Sequence, residues 1–252
     1  MGLTASAPGL AAPPAAAAGL GSAVVPEPLG PTVGWGVLHL FCHVGPRVDT
    51  EAVVVAVKAA QAADHQVVTF AVLGHKADLG FLALGPDLWR LRRLQRDLQQ
   101  AGLRITYSYV SLTETSEYAK DLPPEMVAPR LHPQLPPEGM RAVCFYGMTK
   151  RREPEANWYA TPFEDRKRMM YEHGTSGRAF RGRVLQLVTG STGIDDWEWG
   201  VTLFAGDPAD LKEVVHTLRF DEASARFGEF GPFYTGMVGA VEEILAEVIG
   251  TP

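Results

Sequence analysis

Between residues 142 and 191, five side chains able to do chemistry interrupt otherwise apolar segments: Tyr146, Lys150, Trp158, His173 and Gln186. His173 follows Met169 and Met170 in a helical pattern, and Gly174 and Gly177 come just after it, small enough to let a flat ligand approach the helix. No second residue stands at metal-ligand spacing beside it. Zinc takes three or four protein ligands, whereas haem iron needs one, so His173 is either a haem ligand or a histidine satisfied within a core. Gln186 alternates with Val184 and Val188 on one strand face. A buried amide left without a partner costs roughly 1–3 kcal/mol, so Gln186 either bonds a neighbouring loop or offers a neutral donor to a ligand. Tyr146, Met148 and Lys150 alternate and therefore share a face; alone they also fit the end of a half-exposed strand. Arg219 and Ser224 flank Asp221 and Glu222 and read as a helix end and turn. Among the other histidines, His39 and His43 lie roughly 13 Å apart along a strand, too far to share one metal. His65, His75 and His132 fall in turns or loops, and His216 on the solvent side of a helix.

The elements that must position these residues follow from periodicity. Residues 33–42 read as a strand, 50–63 as a helix behind Thr50, and 67–73 and 79–84 as two strands around a turn at His75. Residues 87–102 form an amphipathic helix with Leu88, Leu91, Leu94 and Leu98 on one face, ended by Gly102. Residues 105–112 form a strand rich in Tyr, Thr and Val. The order is β-α-β-β-α-β. Residues 113–140, with six prolines, read as an extended connection. The order then repeats: strand 141–148, helix 163–180, strands 183–189 and 198–205, helix 209–218, a last strand within 220–234, and a closing helix 236–249. Two such units predict an α+β fold of two ferredoxin-like halves, 31–112 and 141–252, packed through their sheets.

The chain has 252 residues, enough for one large domain or two modest ones. Its net charge of −6 offers no basic footprint for nucleic acid, and an anionic ligand would have to be held by local Arg or Lys. No apolar run reaches the ~18 residues of a membrane span. Cys42 and Cys144 sit in apolar runs as free buried thiols, which suits the cytoplasm. Residues 1–30 are rich in Ala, Gly and Pro with almost no charge and no aromatics, which predicts disorder, and with Arg47 as the first basic residue they lack a signal peptide's positive segment.

Taken together, CFYGMTKRRE, NWY, RKRMMYEHGTSGR, QLVTGSTGIDDWEWGVTLFA and RFDEASARFGEFGPFYTG resemble the coprohaem decarboxylases of the chlorite dismutase-like superfamily. These motifs cover most of residues 141–236, and SEY at 116–118 and RLHP at 130–133 add to them. The resemblance implies a barrel of two ferredoxin-like halves, assembled as a homopentamer. It makes His173 the proximal iron ligand and Gln186 the distal residue, where chlorite dismutases carry arginine; this is the pattern of the branch typified by Gram-positive bacteria of low G+C content. The substrate, and at the same time the cofactor, would be Fe-coproporphyrin III (coprohaem). Hydrogen peroxide would be the oxidant and haem b the product, by way of a three-propionate intermediate. Tyr146 would be the redox tyrosine that takes a hydrogen atom from a propionate. Lys150 and Trp158 would lie near the second reactive propionate, with Met148 between them and Tyr146. Arg130, Arg219 and Ser224 would hold the carboxylates that do not react, with Tyr109 as an addition. Transient contact with a ferrochelatase follows from the implied pathway. Gly147 stands where the family usually has proline, and the stretch from Arg130 to Tyr146 is slightly longer than the family pattern. A haem peroxidase or chlorite-degrading enzyme, and a non-catalytic haem-binding module, are the alternatives on the same scaffold.

Overall fold

Three of the four strands in the first half are buried on both faces, and that requires a partner on each side. In the computed structural model, which describes residues 26–119 and 122–250, helices cover the outside and the second half covers the inside. The first half runs β1 (Gly36–Val44), α1 (Thr50–Gln61), β2 (Gln66–Val72), β3 (Leu79–Gly85), α2 (Leu88–Gln100) and β4 (Leu103–Thr113). After α3 (Pro124–Leu131) the second half runs β5 (Ala142–Lys150), a small hairpin of β6 (Arg152–Glu153) and β7 (Ala156–Asn157), and α4 (Phe163–Arg178). It continues with β8 (Val184–Gly190), β9 (Trp199–Ala205), α5 (Pro208–Leu218), α6 (Glu222–Ala225), β10 (Gly228–Phe230), β11 (Tyr234–Gly239) and α7 (Val241–Ile249).

All pairings of the main sheet are antiparallel, in the order β10-β5-β11-β2-β3-β1-β4-β8-β9, and β5 also pairs with β9. The sheet therefore closes on itself. β10 and β11 take successive stretches of one edge of β5, with Phe230 opposite Met148 and Tyr234 opposite Phe145. Each half orders its four strands alike, β2-β3-β1-β4 and β8-β9-β5-β11, the ferredoxin-like order, and the halves join at β4–β8 and β2–β11. Closure leaves no open edge to be protected. Inside the ring lie Val37, Phe41, Phe70, Leu82, Tyr109, Phe145 and Phe204. Outside, α1, α2 and α7 cover the first half, and α5 with Phe180, just after α4, covers the second.

Several predicted boundaries shift. The cap of α1 is Asp49, whose carboxylate accepts from the Ala52 amide, rather than Thr50. The Pro-rich connection is not extended throughout: a 3-10 turn spans Glu117–Ala119, and α3 begins at Pro124, where a helix has no use for the missing N–H. Residues 236–239 belong to β11 rather than to the closing helix, because Tyr234, Gly236 and Val238 alternate inward and a Cβ on Gly236 would run into the Ala71 carbonyl oxygen. The predicted disordered tail falls mostly outside the described residues. Of its last part, Leu29 is tied down by a bond from its amide to Asp87 and one from the Leu88 amide to its carbonyl. Cys42 and Cys144 are free and buried. Among the described residues no helix is long and apolar enough to cross a membrane.

Candidate active site

Alternation along β5 sends Val143 and Phe145 into the barrel and Cys144, Tyr146 and Met148 to the outer face of the second half. There Tyr146 is buried. Its ring stacks on Phe233 at 4.5 Å between centroids and meets Phe230 edge-on at 5.7 Å. Burial pushes its phenol well above the ordinary tyrosine value, so it stays protonated. Lys150 lies at the end of the same strand. Its ammonium donates to the Ala223 carbonyl at 2.6 Å and sits 4.7 Å from the centre of the Trp158 ring. Burial lowers its pKa to about 8, with the charge of Glu198 acting the other way.

Helix α4 opens with Glu164 and Asp165 in its first turn, where the helix dipole favours them, and buries Met169 against Trp158, Ala223 and Phe227. One turn on, His173 and Ser176 share a stripe that faces Asp221, the buried residue before α6. The His173 Nδ1 lies 3.0 Å from Asp221 Oδ2, and Ser176 Oγ donates to Oδ1 at 2.8 Å. A carboxylate in that place keeps the proton on Nδ1 and leaves the Nε2 lone pair for a metal. Burial, and then the charge of Lys150, lower the pKa of His173 against the pull of Asp221, so the ring is neutral, the form that ligates. Gly177, the next residue on this stripe, brings α4 close to β8: a Cβ there would lie 3.6 Å from Gln186 Nε2. Gln186 is half-buried between Val184 and Val188.

A cleft of about 780 Å³ opens beside Tyr146, walled by Val215, Phe220, Phe230 and Phe233, with Arg219 and Ser224 on its rim. Phe220 is 74% exposed, an aromatic surface left uncovered. Of the sequence-derived site residues only Arg219 and Ser224 line this cleft; Tyr146 lies behind Phe230 and Phe233, and Lys150, Trp158, His173 and Gln186 are not among its lining residues.

Two further sequence-derived assignments lie outside the second half altogether. Tyr109 lies inside the barrel with no exposed surface; its hydroxyl bonds Ser191 and the Trp197 carbonyl, and the sheet separates it from the cleft. Arg130 is exposed on the last turn of α3, its guanidinium turned back onto the Met126 carbonyl. In the opposite direction, the sequence reading missed Asp221, Phe230, Phe233 and Glu198. It also used SEY only as a motif, although Tyr118 packs against the Trp158 cluster and stacks on Phe163 at 5.7 Å. The signal for Asp221 was its position between Arg219 and Ser224. Gly147 has its reason too: a Cβ there would lie 2.5 Å from the Trp197 ring.

The fold is a doubled ferredoxin-like barrel with an aromatic-walled cleft on the outer face of its second half. The chlorite dismutase family model matches residues 48–239, and the chain belongs to that family. The coproheme decarboxylases of two strains of Thermus thermophilus are each 47% identical over 173 residues, 66% of this chain and 69% of the relative. A solved structure described as a novel heme-binding protein from T. thermophilus superposes with a TM-score of 0.77 at 39% identity, covering 89% of this chain and 98% of that one. A mutant chlorite dismutase from Candidatus Nitrospira defluvii gives a TM-score of 0.69 at 18% identity over 86% and 97% of the two chains, a likeness of fold alone.

Proposed function

We propose that the protein is a coprohaem decarboxylase. It converts two propionates of Fe-coproporphyrin III to vinyl groups and yields haem b. Each step turns one propionic acid and one hydrogen peroxide into a vinyl group, carbon dioxide and two waters. The bound porphyrin supplies the iron that reacts with peroxide. His173 would hold that iron through Nε2, and Asp221 keeps the imidazole oriented and neutral. Tyr146 would be the hydrogen-atom acceptor: its protonated phenol lies against the cleft wall, its electron and proton would pass to the oxidising equivalent that peroxide supplies at the bound porphyrin, and the oxidised side chain would then take a hydrogen atom from the propionate. Lys150 and Trp158 hold the second reactive propionate, and Met148 lines the face between. Arg219 and Ser224 hold a carboxylate that does not react. Gln186 faces the ligand with a neutral amide, which disfavours chlorite chemistry.

The observation that carries this reading is the placement of the buried Tyr146 and Lys150 along one strand, with the charge of Lys150 felt at His173, beside 47% identity to coproheme decarboxylases. Storage of haem would need neither side chain. Chromatography of coprohaem-loaded protein after peroxide addition tests it: haem b is the expected product, and coprohaem that only bleaches would leave a haem-binding protein. The homopentamer, the cytoplasmic location and transient contact with a ferrochelatase belong to the same proposal.

A further inference from the structure

Glu198 is a carboxylate that the mechanism above does not use, yet it is only 5% exposed. It sits one residue before β9, and its Oε2 accepts from Thr149 Oγ1 at 2.6 Å and from the Lys150 amide at 3.1 Å. Oε1 accepts from the Arg152 guanidinium, which in turn lies 4.8 Å from the centre of the Tyr159 ring. These partners come from the last residues of β5, from β6 and from the turn after β7, the segment that also delivers Trp158 over the Lys150 ammonium. A buried charge is costly, and hydrophobic packing could close a strand end at least as well, so a carboxylate kept here calls for an electrostatic reason.

We infer that Glu198 is a positioning residue for Lys150: it clamps the end of β5 to the hairpin that carries Trp158, and its negative charge keeps the Lys150 ammonium charged for a carboxylate of the substrate. The inference rests on the proposed role of Lys150. The titratable groups around the ammonium are Glu198 from the β9 side and His173 from α4, while α6 contributes the Ala223 carbonyl and the hairpin the Trp158 ring. Burial pushes the Glu198 carboxyl upward, but its bonds to Thr149, Tyr159, Lys150 and Arg152 together hold it below the usual carboxylate range. Burial lowers the Lys150 pKa to about 8, and Glu198 is the group that opposes the fall. Removing its charge lets the pKa drop further; removing its partner Arg152 does the reverse.

The test is the pH dependence of affinity for metal-free coproporphyrin III, read by fluorescence, alongside KM for coprohaem. Wild type should lose affinity on the alkaline side as Lys150 deprotonates. Glu198→Gln should move that limb to lower pH and raise KM several-fold at slightly alkaline pH. Arg152→Gln should move the limb to higher pH. Limbs that coincide in all three proteins, or that move the same way in both variants, would overturn the inference. If Glu198→Gln does not fold, Arg152→Gln alone decides by its direction. The porphyrin-affinity limb reads Glu198 whether or not wild type decarboxylates, so failure of the proposed function shows separately, as absence of haem b in wild type.

Discussion

Replacing Asp221 with asparagine should separate iron binding from porphyrin binding. The carboxylate accepts two hydrogen bonds, from His173 Nδ1 at 3.0 Å and from Ser176 Oγ at 2.8 Å, in a buried position. An asparagine has one acceptor oxygen, so one bond is lost and an amide N–H is turned toward a donor. Bonds to charged groups contribute about 1.5–3 kcal/mol, the cost expected for the variant. In a chain of this size each kcal/mol moves Tm by about 2–4 °C, so the ligand-free variant should melt about 3–12 °C lower. Loss of such an outer partner of a ligating histidine typically weakens metal affinity by about 10–100-fold. Soret titrations with ferric coproporphyrin III should show that loss, while fluorescence titrations with the metal-free porphyrin change far less. Equal losses for both porphyrins would refute the couple's role, and so would an unchanged ferric affinity.

Lys150→Met should fold at least as well as wild type, because a buried ammonium is exchanged for an apolar chain, and it should stop at the three-propionate product; full conversion to haem b by mass spectrometry would remove Lys150 from the reaction. His39 lies inside the barrel with Nε2 2.8 Å from Thr202, and burial lowers its pKa from 6.5 to about 3. Between those values the unfolded chain takes a proton that the fold refuses, so acidification should cost up to about 1.4 kcal/mol per pH unit from this residue. Melting of His39→Gln against pH should therefore be shallower on the acid side, and parallel slopes would contradict this. Gly147→Ala puts a methyl 2.5 Å from the Trp197 ring and should cost about 1–3 kcal/mol, recovered in part when Trp197 is trimmed to Leu. Additive losses in the double variant would mean that the strain lies elsewhere.

The order of strands and helices was legible because each segment carries its own period. Short elements were exceptions, among them α3, the β6–β7 hairpin, α6 and residues 236–239, whose Gly-Met-Val-Gly run is too short to tell a strand from a helix start until it pairs with β2 and β5. The outward face of β5 was likewise readable, since alternation puts Tyr146, Met148 and Lys150 together whatever the sheet does next. What alternation cannot tell is which side of a closed sheet a face looks to. Tyr109 alternates as well as Tyr146 does, yet it points into the barrel. Asp221 was invisible as a partner of His173 because the two are 48 residues apart in sequence and meet only through the packing of α6 on α4. Glu198 was hidden for the same reason, its partners all lying in the earlier strand and hairpin.

The most direct measurement is a stepwise hydrogen peroxide titration of the coprohaem-loaded protein, read by mass spectrometry, for wild type and Tyr146→Phe side by side. Wild type should lose carbon dioxide and two hydrogens in each of two successive steps and end at haem b. Tyr146→Phe should bind the porphyrin and lose neither. Vinyl formation in the variant, or none in wild type, would contradict the account.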